Sequence, residues 1–121
     1  MQRLIRFEKL KKFPKTAKKM EMDMLIIEGW LKLATGEFDK VADAARTMVA
    51  ETLKEDGCLA YAFARDINDP DLIRIAERWE NAEALAAHGQ SAHMADFNAE
   101  WAVCSAKGPN CGSIRARRCA G

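Results

Sequence analysis

Residues 58–79, CLAYAFARDINDPDLIRIAERW, leave the backbone little choice. From Cys58 to Arg65 the side chains alternate: Leu59, Tyr61 and Phe63 fall on one side, Cys58, Ala60, Ala62 and Ala64 on the other. From Leu72 to Trp79 they alternate again, with Ile73, Ile75, Glu77 and Trp79 in one row and Leu72, Arg74, Ala76 and Arg78 in the other. Between the two runs, DINDPD (66–71) is dense in residues that bond their own backbone or preset a turn. Two period-2 runs joined by so short a link predict an antiparallel hairpin.

The flanking sequence extends this unit. MLIIEGWLKLA (24–34) is a further strand, with Leu25, Ile27, Gly29, Leu31 and Leu33 on one face and Ile26, Glu28, Trp30 and Lys32 on the other. Thr35-Gly36 breaks it. From Glu37 to Lys54, Phe38, Val41, Ala42, Ala45, Met48, Val49 and Leu53 recur at three and four residues, which predicts a helix with one buried stripe. Gly57 stands where a glycine C-cap belongs. Asn81 is an N-cap for a helix over 82–87, broken at Gly89, and a second helical piece over 91–103 buries Met94, Phe97 and Trp101. KGPNCG (107–112) reads as a loop and SIRARRC (113–119) as an edge strand. The order β-α-β-β-α-β predicts an α+β chain of the ferredoxin-like split βαβ type with an antiparallel sheet. Helices on one sheet face leave the other apolar and in need of cover, so a homodimer of the dimeric α+β barrel kind, joined through that open face, is expected.

Charge divides the chain unevenly. Residues 1–19 carry eight Lys or Arg against one acid, 107–121 carry four basic residues and no acid, and 20–106 carry seven basic against seventeen acidic residues. An acidic body argues against a nucleic-acid-binding core. Residues 1–23 read as a flexible basic extension preceding a domain over 24–121. The same segment also fits a membrane-lying amphipathic helix, a transit peptide, or sequence upstream of the true start at Met20, Met22 or Met24. No apolar run approaches the roughly 20 residues that span a bilayer, so no membrane partner is expected. Cys58, Cys104, Cys111 and Cys119 contain no CxxC pair and fit no common zinc spacing, which favours reduced thiols in a cytoplasmic protein.

Gly57-Cys58-Leu59-Ala60-Tyr61, the Asp66–Asp71 turn, Glu77-Arg78-Trp79 and the His88–His93 segment together resemble the antibiotic biosynthesis monooxygenase family over about residues 24–103. The resemblance implies a ferredoxin-like dimer. Among members of that family are quinol and polyketide-anthrone monooxygenases that use no metal or flavin, others that degrade haem, and many of unassigned activity. Haem degraders that resemble this region use an Asn on the first strand, where this chain has Glu28, Gly29 and Trp30.

The chemistry that follows centres on the passage from the third strand into the helix after it, where a pocket between sheet and helices is expected. Trp79 offers a flat wall for an aromatic substrate, and His88, with an imidazole pKa near ~6.5, a general base for a phenol or hydroxyquinone. The carbanion so formed passes an electron to O2, and no cofactor is called for. Tyr61, Glu77, His93, Phe97 and Trp30 complete the candidate substrate-contacting set around these two catalytic candidates. Each also has a plainer role. Trp79 can be a core anchor, and His88 a helix histidine bonded to the strand backbone. Glu77 can pair with Arg65 or Arg74. His93 lies about 140° round an unbroken helix from His88, which points to a structural role and away from a shared metal, so no metal is expected.

Overall fold

A computed structural model describes residues 24–106 and 111–119; the basic segment 1–23 lies outside the described residues, as do residues 107–110 of the expected loop. The element order is β1 (Leu25–Lys32), α1 (Phe38–Thr52), β2 (Cys58–Arg65), β3 (Leu72–Trp79), α2 (Ala82–Gly89), α3 (Ala92–Cys104) and β4 (Gly112–Arg118). The strands form one antiparallel sheet in the order β2-β3-β1-β4, the ferredoxin-like arrangement. β4 takes the outer edge beside β1, with Gly29 opposite Ile114. Gly29 is required there, because a Cβ at this position would stand 2.3 Å from the Ser113 carbonyl oxygen.

Alternation along the strands decides what is buried. Leu25 and Ile27 of β1, and Ile73, Ile75, Glu77 and Trp79 of β3, lie under the helices. They meet Val41, Ala42 and Met48 from α1 and Phe97 and Cys104 from α3. α1 packs on α3, and α2 lies against β3. Two details depart from simple periodicity. Pairing shifts between Cys58 and Ala60, a β-bulge with one extra residue on β2, so Cys58 joins Tyr61 in the core when strict alternation would oppose them. At the end of α1 it is Thr52, fully enclosed, that packs inward, while Leu53 lies just past the helix and is 46% exposed. Gly57 does not cap that helix; with φ +82° it turns the connection into β2, where a Cβ would meet Ala84 at 2.5 Å.

The hairpin turn holds itself together. The Asp66 carboxylate accepts the backbone N–H groups of Asn68 and Asp69 and the Arg74 Nε–H. Asp69 accepts the Asp71 N–H and pairs with Lys32. These donors hold the Asp66 and Asp69 carboxyls below the usual carboxylate range, Arg74 acting most strongly on Asp66 and Lys32 on Asp69.

Candidate functional site

Trp79 closes β3 with no exposed surface. Its Nε1–H donates to Glu77 Oε1 at 2.8 Å, one residue pair along the same strand face. Glu77 is therefore satisfied by the indole, and neither expected arginine reaches it: Arg65 Nε donates to the Pro70 carbonyl and Arg74 Nε to Asp66. The physical reason is again alternation, which sets Arg74 on the opposite sheet face. Burial pushes the Glu77 carboxyl above its ordinary range, against the opposing hydrogen bond from Trp79. Burial likewise raises the Tyr61 phenol, with the Glu77 charge adding to it.

His88 lies on α2 with its side chain 3% exposed. Its ring stands 4.9 Å from the Trp79 indole and 5.2 Å from Tyr61. Nδ1 meets Glu55 Oε2 at 2.8 Å, and the same oxygen meets His93 Nε2 at 2.6 Å. A carboxylate only accepts, so both imidazoles donate N–H to it. That places a proton on His88 Nδ1, and in the neutral ring Nε2 is then an acceptor. Among the described residues this buried Nε2 has no hydrogen-bond partner. Leaving such an atom unpaired costs on the order of 1–3 kcal/mol.

The two histidines converge because α2 and α3 are separate helices. α2 ends at Gly89, Gln90 is its C-cap, and the Ser91 hydroxyl restarts the chain by capping Met94 N–H at 3.2 Å. The angular separation expected of one continuous helix does not apply, and the rings stand 5.8 Å apart. Glu55 comes from the α1–β2 connection, 33 and 38 residues before its partners. Sequence reasoning passed over it: an acid in KEDG, distant along the chain, carries no local signal. The ligand atoms of Glu55, His88 and His93 lie within 4.8 Å of one another, so these three residues could hold a metal ion.

The remaining candidates divide. Tyr61 contacts both Trp79 and His88, ring centroids 6.4 and 5.2 Å away. Phe97 is buried beside them, against Phe63 and Trp101. Trp30 is separated from the set. Alternation places it on the open sheet face with Glu28, Arg74 and Arg115, over a shallow hollow of about 580 Å³. That face is mixed, with Ala62, Ala64 and Ala76 among charged side chains, and not the apolar surface expected. Nor does an open hollow separate Trp79 from His88; the rings pack on one another. A groove of about 530 Å³ runs between α1 and β2, lined by Phe38, Val49, Leu53 and Phe63, and reaches Tyr61. Among the described residues no helix is long and apolar enough to cross a membrane.

Comparison with known proteins agrees with this architecture. The profile of the family described as antibiotic biosynthesis monooxygenase matches residues 24–100. A Bacillus subtilis protein named YcnE, described as a candidate monooxygenase, is 20% identical over 77 residues, which is 64% of this chain and 81% of that protein. A Caulobacter crescentus structure described as a candidate antibiotic biosynthesis monooxygenase superposes with a TM-score of 0.74 at 18% identity, covering 83% of this chain and 92% of its own. A Bacteroides thetaiotaomicron structure of unassigned function, described as a possible oxidoreductase, shares 27% identity with a TM-score of 0.65, covering 79% of this chain and 95% of its own.

Proposed function

The chain belongs to the antibiotic biosynthesis monooxygenase family, and from that premise we propose that it is a cofactor-independent monooxygenase oxidising a small phenolic, quinol or polyketide-like aromatic with O2. One observation carries the reading: His88 is locked by Glu55 with a bare Nε2 buried among aromatic rings. A substrate hydroxyl or activated C–H supplies the missing donor, and the imidazole takes its proton. Glu55 keeps the tautomer and stabilises the imidazolium so formed. The substrate carbanion passes one electron to O2, the two radicals join at carbon, and loss of water leaves a new carbonyl. The balance is CH2 plus O2 giving C=O plus H2O, so the substrate supplies the reducing electrons. The substrate enters along the α1–β2 groove, and Tyr61, the partition between groove and His88, turns aside to admit it.

Two further proposals accompany this one. A homodimer forms through the open sheet face, where Glu28 of one copy can meet Arg74 or Arg115 of another around Trp30. The four cysteines, reduced in this structure, suit the reducing cytoplasm.

The test is O2 uptake over a panel of quinols, anthrones and phenols, with His88→Gln beside the native chain. Uptake by one compound class, reduced by about 10²-fold or more in His88→Gln with an unchanged fold, supports the reading. No uptake with any compound, or uptake indifferent to His88, overturns it. The close packing of Trp79 and His88 favours one competing reading, a dimeric module that binds its ligand in the groove without turnover. A panel compound that raises the melting temperature and consumes no O2 selects that reading.

A further inference from the structure

We propose that Glu55, His88 and His93 form a binding site for one divalent transition-metal ion of the zinc class. Three donors of the right kind converge from two separate stretches of chain: Nδ1 of His88, Nε2 of His93 and a carboxylate oxygen of Glu55, all within 4.8 Å. Two imidazoles and one carboxylate, with coordination positions left for water, are a recurrent set for zinc and its neighbours.

Charge points the same way. Glu55 is 17% exposed at its side chain, and among the described residues no lysine or arginine pairs with it. The two imidazoles give this half-enclosed carboxylate hydrogen bonds, and a dication bound among the three adds a full counter-charge.

The fit needs adjustment in both directions: the two imidazole nitrogens, within 4.8 Å of each other, close toward one another while each moves off the carboxylate oxygen. Donors bound tetrahedrally at about 2.0–2.1 Å stand roughly 3.3 Å apart, so each N···O separation, now 2.8 and 2.6 Å, opens by about half an ångström. Glu55 sits on a connection and not within a helix or strand, so its side chain can give way without moving the sheet. Where each ring carries one proton, that proton only changes nitrogen. In His88 the proton shifts from Nδ1 to Nε2, and in His93 from Nε2 to Nδ1, freeing the inner lone pairs for the ion. A His88 ligating through Nδ1 therefore carries a proton on Nε2 and cannot accept one from a substrate. Metal-loaded and base-competent forms exclude one another, and the ion acts as an occupant that silences His88.

Zinc titration of the full chain by calorimetry, after stripping with a chelator, tests the site without any turnover. One saturable ion per chain is expected, weakened about 10-fold or more in Glu55→Gln and in His93→Gln, and unchanged when Cys104, Cys111 and Cys119 are replaced by Ser. Cobalt in place of zinc should show visible d–d bands without a thiolate charge-transfer band. Melting curves in chelator check that both variants fold; His93 is 18% exposed at its side chain. Absence of saturable binding, binding indifferent to both variants, or binding lost only with the cysteines would overturn the proposal. Because the readout is binding, an inactive substrate panel leaves this result standing, and a failed titration leaves the oxygenase reading standing.

Discussion

Replacing Trp79 by Phe should be costly, and its cost should depend on pH. The substitution keeps an aromatic ring but removes the Nε1–H that bonds Glu77 at 2.8 Å. Glu77 is 8% exposed, so its carboxylate would lose a charge-assisted partner in a place water reaches poorly. Such a loss costs about 1–3 kcal/mol. The smaller ring also leaves a void at a position with no exposed surface, adding roughly 1 kcal/mol or more. At neutral pH the sum is about 2–4 kcal/mol, or some 10–20 °C in melting temperature for a domain of this size. The pH dependence follows from Glu77, whose carboxyl burial holds above its ordinary range. A group raised in the folded state binds protons more tightly there than in the unfolded chain. Its favourable contribution is complete below the unfolded carboxylate pKa and is lost as pH rises through the folded one. Removing the indole donor, which works to lower that pKa, steepens this loss. Urea unfolding followed by far-UV circular dichroism at fixed protein concentration should show a small defect near pH 4.5 and the full defect near pH 8. An equal defect at both values would refute the account, as would a total below about 1 kcal/mol.

Two other perturbations probe the frame around the site. Asp66→Asn keeps part of the turn's hydrogen bonding but removes the charge that meets Arg74. Because the native carboxyl is held low, its contribution is present above the unfolded carboxylate pKa and fades as pH falls through the folded value. The gap in melting temperature between native and variant chains should therefore close on acidification from pH 6 to pH 3. Gly29→Val drives a side chain into the Ser113 carbonyl at the β1–β4 seam. Amide exchange should accelerate across Ser113–Arg118 while β2 and β3 stay protected; uniform protection in both would show that the seam tolerates a side chain.

How much could be read beforehand varies with the range of the interaction. The hairpin was plain because DINDPD and two period-2 runs act locally, and observed β2 and β3 span the residues that periodicity indicates. The cap at Asn81 was legible for the same reason: its side chain reaches only to Ala84 N–H. Where one extra residue or one break resets the phase, periodicity misleads. The bulge moves Cys58 into the core; the break near Gly89 is legible in the sequence, but the angle it opens between the two helices, which brings the imidazoles together, is not. Trp30, a candidate from the sequence, stands apart from the site because its place in the strand sets it on the opposite face. Glu55 had no signal at all, since nothing in the residues around it announces partners thirty-odd positions away.

The interruption between α2 and α3 has a consequence of its own. Neither helix encodes the meeting of His88 with His93; the joint does, as a phase offset set by Gln90 and Ser91. A descendant chain that lengthened this joint by one residue could retain every buried stripe and every cap while parting the pair. Architecture and chemistry are thereby written in different places, and evolution can edit the second without rewriting the first.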